Sequence, residues 1–320
     1  MTETTALSWP LIQQAQARIA GRVSLTPVLT STTLDELSGA RLYFKCETFQ
    51  KAGAFKARGA VNAVFALSDA EARRGVATHS SGNHAAALAR AAALRGIPAY
   101  IVMPDNSPQA KRAAVERYGG RITYCAPTLA AREAAAAELV ASTGAAFIHP
   151  YDNLMVMAGQ GTAAAEFLGQ VPQLEAIVCP VGGGGLLSGT AVAAKSLRPG
   201  IRVLGAEPAG ADDAARSFET GRLQPAPVPH TIADGLRGAL AERTFAEIRA
   251  HVDGITRVSE ESILESMRAL WEVLKIIVEP SGAVPYAAVR RGHAGLAGQH
   301  VGVVLTGANL DLDRLPWQAA

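Results

Sequence analysis

Short apolar runs alternate with longer Ala-rich stretches along nearly the whole chain. Runs at 42–46, 76–79, 100–103, 122–124, 146–149, 176–181, 203–206 and 301–305 are rich in Val, Ile, Leu and Tyr and read as strands. The stretches 85–95, 108–118, 129–142, 161–168, 186–197 and 260–274 carry helix-forming residues and read as helices between them. Strand–helix alternation of this kind predicts an α/β fold with open, parallel-type sheets flanked by helices on both faces. In such folds ligands sit where loops leave the carboxyl ends of strands, so those loops are where chemistry is expected.

Composition narrows the picture. The 320 residues are 49% apolar with few aromatics, which suits helices packed on parallel strands. Thirty basic residues against 28 acidic leave a formal charge of +2 and no basic tract, so neither nucleic acid nor a membrane surface is an expected partner. The first ten residues lack a basic segment followed by an apolar one, and Arg90 and Lys195 interrupt the longest Ala-rich runs; neither a secretory signal nor a membrane span is expected. Cys46, Cys125 and Cys179 show no metal or disulfide spacing, and a cytoplasmic location is expected.

Five stretches carry candidate chemistry. Lys56 lies between the strand at 42–46 and a helix-like run from Gly59, at a strand–loop–helix junction beside Lys51 and Arg58. Neighbouring positive charge, a helix N-terminus and partial burial lower a lysine's proton affinity, and a neutral amine is what Schiff-base chemistry requires. Ser80-Ser81-Gly82-Asn83-His84 follows a strand and opens a helix, where unpaired backbone N–H groups make either an anion cradle for a carboxylate or an ordinary helix cap. Gly182-Gly183-Gly184-Gly185 stands between a strand and a helix and suits a phosphate. A dinucleotide reading fails there because no register gives G-x-G-x-x-G. Thr306 closes the strand at 301–305 and places a hydroxyl at its carboxyl end. The segment 207–213 gathers Glu207, Asp212 and Asp213, either a solvated acidic loop or oxygen ligands for a hard cation.

In order, Ala54-Phe55-Lys56-Ala57-Arg58-Gly59-Ala60, the 80–84 loop, His149-Pro150, Gly159-Gln160-Gly161-Thr162, the four glycines, Ala206-Glu207-Pro208, Thr231-Ile232-Ala233-Asp234-Gly235, Glu279-Pro280-Ser281-Gly282 and Thr306-Gly307-Ala308-Asn309 resemble the fold type II pyridoxal-phosphate enzymes. Within them, the serine racemase and serine/threonine dehydratase branch matches over residues 26–313. The resemblance implies two lobes, a larger one from residues 1–70 and 152–320 and a smaller, mobile, inserted one from 71–151, and a homodimer. It implies that Lys56 forms the Schiff base with pyridoxal 5'-phosphate, Phe55 packs on one ring face, Asn83 bonds the ring phenolate oxygen, Gly182 to Gly185 hold the phosphate and Thr306 meets the pyridine nitrogen. Ser81 would face the ring opposite Lys56. Ser80, Ser81, Gly82 and His84 would bind substrate, and Glu207, the Ala211 carbonyl and Asp213 would bind Mg²⁺, Mn²⁺ or Ca²⁺.

A hydroxyl at the pyridine nitrogen limits the ring as an electron sink and suits β-elimination over transamination. The expected activity is therefore dehydration of serine- or threonine-type β-hydroxy amino acids to 2-oxo acids and ammonia, with Lys56 removing the α-proton. Alternatives are racemisation of serine, aspartate or threonine, with Ser81 as second acid–base group, and 3-hydroxyaspartate dehydration with Arg132 meeting the extra carboxylate. A non-catalytic vitamin carrier and a nicotinamide-dependent oxidoreductase are weaker fits. The sequence departs from the branch at Ala54, usually serine, and at Tyr151 and Gly238, where mammalian serine racemase has asparagine and serine. No regulatory domain is expected after Asn309, and hence no response to isoleucine.

Overall fold

The computed structural model describes residues 6–80, 82–290, 292 and 295–318. Its strands are β1 (Val28–Leu29), β2 (Arg41–Cys46), β3 (Val76–His79), β4 (Ala99–Pro104), β5 (Arg121–Cys125), β6 (Ala146–Phe147), β7 (Ala176–Pro180), β8 (Arg202–Pro208), β9 (Gly254–Val258) and β10 (His300–Leu305). They form a six-stranded sheet in the order β1-β2-β10-β7-β8-β9 and a four-stranded sheet in the order β5-β4-β3-β6. Every pairing is parallel except β1 with β2. Helices join parallel neighbours, so the α/β architecture with parallel open sheets holds. All strands of the smaller sheet fall between residues 76 and 147.

The larger sheet is buried on both faces. Phe44, Ala176, Val178, Val301, Val303 and Tyr286 pack on one side, and Phe167, Ile177, Cys179, Leu187 and Val203 on the other. A strand wetted on neither face cannot alternate with polar residues, which is why β2, β7 and β10 read as continuous apolar runs. The exceptions are the edge strands β1 and β9, both largely half-buried and both absent from the predicted strands.

One helix was expected over 161–168 and instead runs Leu154–Gln170, started by Asn153, whose side chain accepts from the Val156 N–H. Gly159 and Gly161 are inside it, and their lack of side chain lets two other helices touch its backbone. A Cβ on Gly159 would lie 2.6 Å from Gly59 Cα, in the helix Lys56–Ala66. A Cβ on Gly161 would lie 2.7 Å from Gly189 O, in the helix Gly185–Leu197. Between them Gln160 accepts the Gly59 N–H at 3.1 Å. The helix Pro280–Arg290, with Pro285 inside it, was likewise not among the predicted helices and packs against the large sheet.

Among the described residues no helix is long and apolar enough to cross a membrane. Cys46 and Cys179 are buried and all three cysteines are free.

Candidate active site

Lys56 is the first residue of the helix Lys56–Ala66, so the expected junction is where the sequence placed it. Its Nζ donates to Pro150 O at 2.8 Å and stands 5.1 Å from the Phe55 ring centre. Burial pulls the amine down to about 8. The neighbouring cations expected to do this do not: Arg58 turns inward, and both it and Glu47 are buried, joined by bonds of 2.7 and 2.8 Å. Glu166 also meets Arg58, at 3.0 Å, and pairs with Lys45. The Arg58 charge is thus neutralised inside the core, and desolvation alone accounts for the shift at Lys56.

The loop before Lys56 lies along the loop after β10. Phe55 N–H donates to Thr306 O at 3.0 Å, Ala308 N–H donates to Gly53 O at 3.0 Å, and Ala54 and Gly307 form an isolated antiparallel bridge. Thr306 is buried. Beside it, Glu279 N–H donates to Gly307 O at 2.9 Å. The Glu279 carboxylate accepts from Asn83 Nδ2 at 2.7 Å, while Asn83 Oδ1 accepts from Asn309 Nδ2 at 3.0 Å. Burial pushes Glu279 up to about 7, opposed by the charge of Lys111 and reinforced by that of Asp234. Lys111 and Asp234 form an ion pair between the helix Gln109–Arg117 and the turn Asp234–Leu236.

The glycine loop runs from the end of β7 into the helix Gly185–Leu197, capped by Gly184 at φ 86°, a left-handed conformation that side chains resist. Among the described residues, no protein acceptor meets the backbone N–H groups of residues 182–187; the first bond at this end is Ser188 N–H to Gly184 O. Side chains here would collide with the walls. A Cβ on Gly182 would come within 2.9 Å of Leu236 Cα, and one on Gly183 within 2.4 Å of the Tyr151 ring. A row of free donors at a helix N-terminus with nothing projecting over it suits a phosphoryl group. Lys56 supplies an amine for an aldehyde, and Asn83 a spare amide N–H for a ring oxygen. The residues present therefore fit pyridoxal 5'-phosphate.

The remaining expected residues divide. Ser80 follows β3, and its hydroxyl accepts the Gly82 N–H at 3.3 Å. Asn83 and His84 open the helix Asn83–Arg95. His84 is buried, with Nε2 3.2 Å from Ile148 O, and burial holds its ring well below the usual histidine range. Ser81 lies outside the described residues. Arg132 is half-buried on the helix Leu129–Thr143; burial lowers His79 and raises Tyr151, and the Arg132 charge acts on both rings, downward each time. His149 is brought down to about 4, by burial and then by His79.

In the acidic loop Glu207 accepts the N–H groups of Ala214 (3.2 Å) and Ala215 (2.8 Å), and Asp213 accepts that of Leu240 (3.0 Å). Asp212 is taken up by Arg216 and Arg257. Burial pushes Glu207 up to about 8, and the nearby Asp213 adds to it; Asp213 is itself raised by burial. Two desolvated carboxylates beside the buried Ala211 fit a cation's oxygen ligands, though no group of three or more His, Cys, Asp or Glu gathers here or elsewhere among the described residues.

Fold and site together define a pyridoxal-phosphate enzyme. The sequence profile described as "Pyridoxal-phosphate dependent enzyme" matches residues 19–307, and the chain belongs to that family. It is 50% identical over 303 residues to beta-hydroxyaspartate dehydratase of Paracoccus denitrificans, covering 95% of this chain and 96% of that one. It is 49% identical to serine racemase of Oryza sativa subsp. indica, covering 96% and 92%. Among solved structures, maize serine racemase superposes with a TM-score of 0.95 at 46% identity, covering 98% and 97%. The threonine deaminase of T.th. superposes with a TM-score of 0.91 at 45% identity, covering 95% and 99%. These relatives share the fold type II architecture.

Proposed function

We propose that the chain is a dehydratase that converts serine-, threonine- or 3-hydroxyaspartate-type β-hydroxy amino acids to 2-oxo acids and ammonia. The observation that carries this reading is Lys56: a desolvated amine at a helix N-terminus, held by the Pro150 carbonyl, on a loop bonded to the one that carries Thr306. Bound pyridoxal 5'-phosphate supplies the electron sink for charge at the substrate α-carbon. The N–H groups of Gly182 to Gly185 would grip its phosphoryl group, Phe55 would pack on its ring, and Asn83 and Thr306 would contact its edge. Lys56 Nζ would take the α-proton and pass a proton to the departing β-hydroxyl, so that the net loss from the substrate is one water. Ser80, Ser81, Gly82 and His84 hold the substrate carboxylate at the start of the helix Asn83–Arg95. Residues 71–151 act as a mobile lobe whose closure excludes water, and the protein works as a cytoplasmic homodimer. Glu207, the Ala211 carbonyl and Asp213 bind Mg²⁺, Mn²⁺ or Ca²⁺.

Two relatives sharpen the substrate question. The Paracoccus dehydratase favours a dicarboxylic substrate, with Arg132 as the cation for its second carboxylate; the racemases favour a side activity in which Ser81 exchanges the α-proton on the other face. The test is a panel of serine, threonine and 3-hydroxyaspartate stereoisomers given to the reconstituted protein, with 2-oxo acid, ammonia and the chirality of recovered substrate measured. Oxo acid from at least one is expected, and Arg132→Ala should lose 3-hydroxyaspartate turnover selectively. A coloured, cofactor-loaded protein that releases no oxo acid from any of them overturns the dehydratase reading; inverted substrate in its place establishes the racemase.

A further inference from the structure

The Asn83 side chain has two N–H donors and one carbonyl acceptor. Two of these three are fixed. Its Oδ1 accepts from Asn309 Nδ2 at 3.0 Å, and one Nδ2 hydrogen goes to Glu279 Oε1 at 2.7 Å. Asn309 Nδ2 also donates to Ala52 O at 2.7 Å, so the Asn309 group facing Asn83 is itself a donor. Turning the Asn83 amide over would set NH₂ against NH₂ and carbonyl against carboxylate. Its orientation therefore follows from its neighbours.

Those neighbours are rigidly placed. Glu279 is 2% exposed, its backbone N–H is tied to Gly307 O, and a Cβ on Gly307 would lie 2.5 Å from Glu279 Oε1. A Cβ on Gly53 would lie 2.4 Å from Asn309 Oδ1. Both glycines leave room for the two side chains that grip Asn83. Glu279 Oε2 is buried and meets no donor among the described residues, so this carboxylate stands where burial is costly. Such a group needs a reason to be there.

We propose that Glu279 and Asn309 are positioning residues that lock the Asn83 amide as a pure donor, so that its one free N–H is presented to the ring oxygen of bound pyridoxal 5'-phosphate. This rests on the cofactor reading above. A fixed donor at that oxygen favours its anionic form and so affects the colour of the bound cofactor, whether or not substrate is turned over.

The test uses the visible absorption of the loaded protein and the dissociation constant for pyridoxal 5'-phosphate. Asn83→Ala and Glu279→Met should shift the absorption in the same direction and weaken binding by about fivefold each, the worth of one hydrogen bond. The double variant should add nothing to either. Glu279→Gln, which keeps an acceptor oxygen, should restore the wild-type spectrum. Asn309→Ala, which frees Asn83 Oδ1, should move the spectrum as Glu279→Met does and stands in if that variant fails to fold. A wild-type spectrum in both Glu279→Met and Asn309→Ala, with Asn83→Ala shifted, overturns the proposal; so does a double variant in which the effects sum. A colourless wild-type protein would instead refute the cofactor reading and this inference with it.

Discussion

Arg58 and Glu47 meet in a two-pronged ion pair, Nη2 to Oε1 at 2.7 Å and Nε to Oε2 at 2.8 Å, where both side chains are almost wholly shielded from water. Only one residue separates Arg58 from the amine at the heart of the site. The pair therefore anchors the helix that presents Lys56.

Removing one partner strands the other. Arg58→Met leaves Glu47 charged and unpaired in the core and should cost about 3–5 kcal/mol. A fall in Tm on the order of 10 °C is expected by thermal denaturation; a change of only a degree or two would show that the nearby Lys45 compensates. Burial alone would raise the Glu47 carboxyl, yet Arg58, the Thr26 hydroxyl and Lys45 together hold the group below its ordinary value. The pair's contribution is thus full above roughly pH 4 and is lost as pH falls through the depressed value.

Capture of the cofactor should follow the ionisation of Lys56. With its amine at about 8, the neutral form is present at much lower pH than for a free lysine at ~10.4. Mixing apo protein with pyridoxal 5'-phosphate should give an association rate that rises with pH and levels off above about 8. A rise that continues past roughly pH 10 would mean the amine is solvated before the ligand arrives. Lys56→Ala should retain no cofactor after borohydride treatment, and its turnover should drop by at least ~10²-fold.

The Tyr151 ring lies against the Gly183 backbone. In Gly183→Ala the new methyl would fall 2.4–2.5 Å from three ring atoms, so the ring or the loop must shift. Overpacking of this kind costs about 1–3 kcal/mol, and cofactor affinity should fall as the loop moves. Trimming the ring should relieve it: Tyr151→Ala combined with Gly183→Ala should bind better than Gly183→Ala alone. Equal binding would place the strain elsewhere.

Glu207 gives a pH dependence of opposite sign to Glu47. Its folded value is raised to about 8, so its favourable contribution is complete below the unfolded value of roughly 4.3 and declines as pH rises toward 8. Chelated protein should lose Tm between pH 5 and 8, added Mg²⁺, Mn²⁺ or Ca²⁺ should restore much of it, and Glu207→Gln should abolish the cation response. Calorimetry with and without chelator checks this; a response that survives in Glu207→Gln would place the ion elsewhere.

Most strands and the candidate-site loops could be read from the sequence because each is a local signal: an apolar run, four glycines, or a lysine before a helix. What could not be read is carried by contacts between distant residues. Arg58 looked like a neighbour that would acidify Lys56, yet its partners lie 11 and 108 positions away. Glu279 and Asn309 were visible only as members of motifs, because they reach Asn83 across 196 and 226 residues. Gly161 looked like a helix start because glycine weakens helices; here close packing overrides that preference. Lys111, which reaches Asp234, had no local signal at all beyond its charge.

The helix Leu154–Gln170 behaves as a gauge block. One of its flanks seats the helix that begins at Lys56, the other seats the helix that begins at Gly185, and each seat is backbone on backbone at a glycine. No side-chain rotamer can change that spacing, so the two grips proposed above for one small molecule have their separation set when the chain folds. A methyl group at either seat would spread the jaws, and the fault would surface as a poorly held vitamin in an otherwise folded protein.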